Sequence, residues 1–189
     1  LEMGSAESLE AAKRVALVST WMKEPVASRS LSEYLKQLAA QGYAPLVIDT
    51  SPFNEPITWP ERIPEGAVVT RRKNIGYDFG SWSAALRAYP DLAGKPEVLL
   101  TNDSMVGPFA SMENVFAAAR DSAADIYSLT DSRLGPHHPQ SFFLIFRRGI
   151  LNDAPWQRFF AGVREQKAKE DTVGAYEFGV PKVAKAYGY

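Results

Sequence analysis

The sequence predicts an α/β domain with a mainly parallel central sheet flanked by helices. Three observations predict it. Short apolar runs with β-branched members recur at 15–19, 45–49, 67–70 and 97–101. Stretches with helical spacing stand between runs, at 31–38 and 80–89. The 189 residues, 46% hydrophobic and 23% charged, have the size and balance of one folded domain.

VALVS (15–19) is the first strand. Ser30-Leu31-Ser32-Glu33 has capping-box spacing, Leu31, Leu35 and Leu38 form a helical stripe, and Gly42 stands where a terminating glycine belongs. PLVID (45–49) is the second strand. Strand, helix, strand at this spacing implies a parallel pair joined by a right-handed crossover. Residues 51–66 carry four prolines and read as an irregular loop of a length that is usually functional or mobile. AVVT (67–70) is the third strand, 80–89 a helix, and EVLLT (97–101) the fourth strand. A helix capped by Ser111 follows at 111–122, then strands at 125–129 and 141–146. Residues 152–169 read as a helix capped by Asn152 or Asp153, with Pro155 early and Trp156, Phe159, Phe160 and Val163 on one side. The tail, 173–189, reads as partly helical.

A net charge of −1 implies no polyanion-binding surface, so nucleic acid is not an expected partner. Without cysteine there is no disulfide and no thiolate metal site, which suits a reducing cytoplasm. No apolar run approaches the roughly 18 residues of a membrane helix. Residues 1–5, LEMGS, read as a cloning remnant, and 6–189 as one domain cut from a longer chain.

In parallel sheets ligands bind beyond the carboxyl ends of the strands, where strand order reverses. With the order 3-2-1-4, that point brings Ser19, Thr20 and Trp21 beside Asn102, Asp103 and Ser104. Asp103 can bind a divalent cation or a sugar hydroxyl there, and equally can close an Asx-turn. Arg71, Arg72, Lys73 and Asn74 precede a turn with Gly76, Asp78 and Gly80 that leads into a helix. Such a turn can hold a phosphate, while Asp78 or Ser81 can simply cap the helix. Tyr77, Phe79 and Trp82 read as core. His137-His138-Pro139-Gln140-Ser141 precedes the most apolar strand and is either a proton-exchanging site or a plain loop. Asp131 and Ser132 follow a strand on the same rim. Glu177, between Tyr176 and Phe178, has surroundings that can raise a carboxyl's pKa, or faces water on an amphipathic helix. Neither a G-x-S-x-G elbow nor an HExxH motif occurs.

Together these segments resemble the rhamnan synthesis protein F family. Asn74-x-Gly76-x-Asp78-Phe79-Gly80 matches its N-x-G-x-D-F-G signature. Asn102-Asp103-Ser104 with Gly107-Pro108, His138-Pro139-Gln140-Ser141-Phe142-Phe143, Trp156 to Phe160 and Tyr176 to Gly179 follow in order. The resemblance implies a GT-A-like, Rossmann-related glycosyltransferase of bacterial surface polysaccharide. It also implies a dTDP-L-rhamnose-like nucleotide-sugar donor and a glycan or lipid-linked glycan acceptor. The expected location is the cytoplasm, at the inner membrane face through regions outside this chain. Donor binding is expected from Thr20, Arg71, Arg72, Asn74, Gly76, Asp78, Asn102, Asp103 and Ser104. Acceptor binding is expected from His138, Gln140 and Ser141. Glu177 is the first choice of base, with His138 and Asp131 behind it. Asp103 falls where such enzymes hold Mg²⁺ or Mn²⁺. Its neighbours lack the second carboxylate of D-x-D, which argues against tight metal binding and gives the diphosphate to Arg71, Arg72 or Lys73. The rival reading is a non-catalytic nucleotide- or carbohydrate-binding module.

Overall fold

The computed structural model describes residues 3–133, 135–166, 171 and 173–189. A six-stranded sheet forms the centre. Its strands are β1 (Arg14–Thr20), β2 (Tyr43–Asp49), β3 (Val68–Arg71), β4 (Glu97–Asn102), β5 (Ile126–Ser128) and β8 (Phe143–Arg147), in the spatial order β3-β2-β1-β4-β8-β5. The first four strands are parallel, as the strand–helix–strand pattern predicts. The expectation of a mainly parallel sheet needs correction. β8 runs antiparallel to both β4 and β5, so the sheet is mixed. The chain reverses through a short ribbon, β6 (Asp131–Ser132) with β7 (His138–Pro139), instead of crossing back by a helix.

Alternate side chains of each buried strand serve opposite faces. On one face Val15, Leu17, Leu46, Ile48, Leu100 and Phe146 pack beneath α3 (Tyr77–Ala88), α5 (Ala154–Ala161) and α6 (Gly179–Tyr187). On the other face Ala16, Val18, Val47, Leu99 and Ile145 meet α2 (Arg29–Ala40) and α4 (Glu113–Asp121). A short N-terminal helix, α1 (Ala6–Ala11), buries Leu9 in the first of these layers. Met3 pairs with Val69 and Ser5 caps α1, so residues 3–5 belong to the folded structure.

Local details differ from the sequence pattern for identifiable reasons. Ser28, not Ser30, caps α2, accepting from the Leu31 amide at 3.0 Å. Ser30 instead bonds both the amide and the carbonyl of Gly107. Helix α3 begins at Tyr77, three residues before the expected start. Gly76 is the cap, in the left-handed region with φ 78°. Gly80 sits inside the first turn because a Cβ there would lie 2.0 Å from the Ile75 carbonyl oxygen. α5 ends at Ala161, short of the predicted 169, and residues 167–169 of that expectation lie outside the described residues.

Candidate functional site

Register aligns the carboxyl ends of the strands. Thr20 pairs with Asp49, Ser19 with Asn102, and Asp49 with Arg71. Each strand therefore delivers its terminal polar residue to one edge. Above β1 and β4, at the reversal of strand order, an open cleft of about 660 Å³ has formed. Thr20, Asn74, Asp78, Asn102, Asp103 and Ser104 line it, and Gln140, Ser141 and Glu177 close it from the other side. Trp21 and Tyr77, 53% and 42% exposed, supply aromatic surface to the same cleft.

Asp103 is half-buried, and its Oδ2 accepts from the Thr20 hydroxyl at 2.5 Å. Burial raises its pKa above the ordinary carboxylate range. Thr20 and a backbone amide oppose that shift, and the Asp78 and Asp49 charges add to it. Asn102 ties the first turn of α3 to the end of β4. Its amide donates to Asp78 Oδ2 at 2.8 Å, and its Oδ1 accepts from the Ser104 amide at 3.1 Å. The second bond is an Asx-turn that ends β4 and leaves Asp103 on the cleft wall. Tyr77 holds φ 52°, a conformation uncommon outside glycine and found disproportionately at functional sites.

Glu177 lies at the end of a single wide turn, Val173–Glu177. Its Oε1 accepts from the Ser141 amide at 2.9 Å and from the Ser141 hydroxyl at 2.5 Å. The carboxylate is thus fixed to a residue 36 positions away while its side chain stays 18% exposed. His138 stands behind it. It is buried, its Nδ1 is 2.6 Å from the Pro136 carbonyl, its Nε2 is 3.9 Å from Glu177 Oε2, and its ring packs edge-on against Phe178. His138 supports the wall and does not line the cleft. Gln140 does line it, held by Thr130 at 2.7 Å.

Other candidates lie elsewhere. Arg71 donates from Nε to the fully buried Asp49 at 2.8 Å and from its terminal nitrogen to the Glu55 carbonyl at 3.0 Å. Arg72 bonds Ser81 at 3.3 Å and the Ile75 carbonyl at 3.0 Å, bracing the turn from behind. Gly76 is buried in that turn and Lys73 is exposed beside it. Asp131 is on the exposed ribbon, paired with His137. Among the described residues, the cleft wall therefore carries three carboxylates and no lysine, arginine or histidine. Thr50 and Tyr77 were not expected there. Thr50 could have been found as the residue just past β2 on the carboxyl edge, and Tyr77 from its place directly after a left-handed glycine.

The fit to Mg²⁺ or Mn²⁺ is poor on the protein's side. Among the described residues no three His, Cys, Asp or Glu side chains are grouped to hold an ion, and one oxygen of Asp103 is committed to Thr20.

Comparison with known proteins agrees with the motif resemblance. Residues 66–189 match the sequence profile of the family described as rhamnan synthesis protein F. An uncharacterized protein, y4gN, of Sinorhizobium fredii (strain NBRC 101917 / NGR234) is 25% identical over 127 residues, covering 65% of this chain and 33% of its own length. Virulence protein VirA of Vibrio anguillarum (strain ATCC 68554 / 775) is 30% identical over 88 residues, covering 45% of this chain and 27% of its own. The chain spans about a third or less of the length of these relatives. With well over half of its residues matched, the chain belongs to the rhamnan synthesis protein F family.

Proposed function

We propose that this domain is a nucleotide-sugar-dependent glycosyltransferase with a GT-A-like site. In this reading it moves a deoxyhexose, L-rhamnose first, from a nucleoside diphosphate to a glycan or lipid-linked glycan acceptor. Family membership supports a role in polysaccharide synthesis. The single observation that carries the enzymatic reading is the facing of Asp103 and Glu177 across one cleft at the reversal of strand order.

The roles follow from the two walls. Asp103, Asn102 and Asp78 hold donor hydroxyls, with Asp103 kept in place by Thr20. Trp21 or Tyr77 gives a flat surface for a base or a sugar ring. Glu177, aimed by Ser141, takes the proton from the acceptor hydroxyl as the anomeric carbon–oxygen bond to the diphosphate breaks. The leaving diphosphate gathers negative charge, and in this reading Lys73, exposed in the segment before α3, and the amino end of α3 offset it.

The test uses the full-length protein with dTDP-L-rhamnose and a rhamnan glycan, following nucleotide release. Asp103→Asn and Glu177→Gln are each expected to lower turnover by about 10²-fold or more. Parent-like turnover in both variants would remove the assignment. The acidic wall favours one second reading, a carbohydrate-binding module that reads hydroxyls through carboxylates, amides and aromatic faces. Calorimetry with dTDP, UDP and GDP separates the two, since binding without transfer supports the module and transfer rejects it.

A further inference from the structure

A second pocket opens beside the cleft. It has a volume of about 170 Å³ and lies between the start of α2, the loop after β4 and the residue after β5. Leu31, Tyr34, Met105, Val106, Met112 and Leu129 give it an apolar wall, and Asn102 and Asp103 form the partition it shares with the cleft. Apart from Asp103, its polar side chains are already engaged. Ser30 Oγ donates to the Gly107 carbonyl at 2.5 Å and accepts from the Gly107 amide at 2.7 Å. The Tyr34 hydroxyl bonds Thr101 at 2.7 Å, and burial pushes that phenol's pKa upward. Asn102 is divided between Asp78 and Ser104. A sugar, a base or a phosphate entering this pocket would trade water for a wall with few polar partners to offer.

The loop that builds the pocket also carries the two most exposed large apolar side chains among the described residues, Val106 at 81% and Phe109 at 87%. An apolar path therefore runs from the Asp103 partition, through the pocket, to the surface. Polar and apolar compartments joined at one residue fit a molecule with a polar head and an aliphatic tail.

Resting on the transferase reading, we propose that this pocket holds the aliphatic chain of an amphiphilic acceptor whose sugar head occupies the cleft. The contiguity at Asp103 sets the geometry, because an acceptor head lying in the cleft between Glu177 and Asp103 has Leu31, Met105 and Met112 on the far side of the Asp103 partition.

The probes are methyl and n-octyl α-L-rhamnoside, the latter below its micelle concentration, titrated into the full-length protein. The octyl compound is expected to bind about 10- to 100-fold more tightly, the gain of burying a few methylenes. Val106→Asp, at an exposed position that tolerates a charge, and Met105→Asp should each remove most of that preference and leave methyl rhamnoside affinity in place. Equal affinity for the two probes, or a preference that survives both substitutions, overturns the proposal. So does concentration-dependent dimerisation abolished by Val106→Asp, which would make the patch a contact between copies. Nucleotide binding, measured separately, keeps the two ideas apart. Chain-length preference without nucleotide binding retains the pocket and rejects the transferase, and the converse rejects the pocket alone.

Discussion

Arg71→Leu tests whether the arginine after β3 belongs to the fold or to a ligand. Asp49 has a fully buried side chain, with Oδ1 bonded to the Ser51 amide and hydroxyl and Oδ2 bonded to Arg71. Ser51 in turn accepts from the Met22 amide at 2.7 Å. Removing the guanidinium leaves a carboxylate sealed from water with its only cross-strand cation gone among the ion pairs of the described residues. Breaking a buried pair in this way costs about 3–5 kcal/mol. Arg71 also sits 4.9 Å above the Phe53 ring and bonds the Glu55 carbonyl, so the proline-rich loop loosens with it. For a chain of this size the loss corresponds to a fall in melting temperature of roughly 6–20 °C. Urea denaturation and calorimetry of Arg71→Leu, Asp49→Asn and the double variant provide the assay. The double variant should lose less than the sum of the single variants, because neither partner is then left alone. A loss under about 1 kcal/mol for Arg71→Leu, together with a large drop in nucleotide affinity, refutes the reasoning and returns Arg71 to the donor site.

Two further outcomes are expected. Gly80→Ala should lose about 2 kcal/mol in urea denaturation, because its Cβ meets the Ile75 carbonyl and the clash outweighs the usual helical advantage of alanine; unchanged stability would mean that the turn yields without cost. Asp103→Asn should raise stability at neutral pH while it lowers turnover. The folded state lifts the Asp103 pKa, so protonated Asp103 favours folding, and this contribution is lost as pH rises through the folded pKa. The melting-temperature gain of the variant should therefore be largest at pH 7 and vanish below about pH 4, the ordinary range of an aspartate; a gain that persists at low pH would assign it to packing rather than to charge.

Much of the fold was legible because it is local. Apolar runs ending in polar residues located β1 to β4, and the helix between β1 and β2 implied their parallel pairing. The reversal at β8 was not legible, since Phe143–Arg147 reads as a strand in either direction and the turning ribbon is only two residues wide on each side. In the cleft, Asp103 and Asn102 were visible as the rim past a buried strand. What Arg71 does was invisible, because cation and carboxylate are 22 positions apart and meet only through the Asp49–Arg71 register. Tyr77 reads as core beside Phe79 and Trp82, which are buried, but with its φ of 52° after the left-handed Gly76 it stands exposed. Glu177 is marked as a candidate by its aromatic neighbours, and only the family resemblance ranks it as the base, since its tie to Ser141 crosses 36 residues.

The family match begins at residue 66, yet the cleft cannot be built from that point onward. β1 lies between β2 and β4 at the middle of the sheet, and both β1 and β2 precede the match. Without β1, Val98, Leu99 and Leu100 of β4 lose their parallel partners, and the Asp103 carboxylate loses Thr20. Trp82 shows the dependence from the other side. It lies within the matched region, and its indole donates to the Leu17 carbonyl of β1 at 3.1 Å and to the Thr101 carbonyl of β4 at 3.2 Å, directly beneath the cleft floor. The recognisable signature thus marks the helix turn, the β4 rim and the Glu177 wall, while the strands before it supply the floor on which those parts are set. The physical unit is the whole sheet: a buried strand asks only for apolar side chains of suitable shape, whereas the rim asks for particular polar atoms.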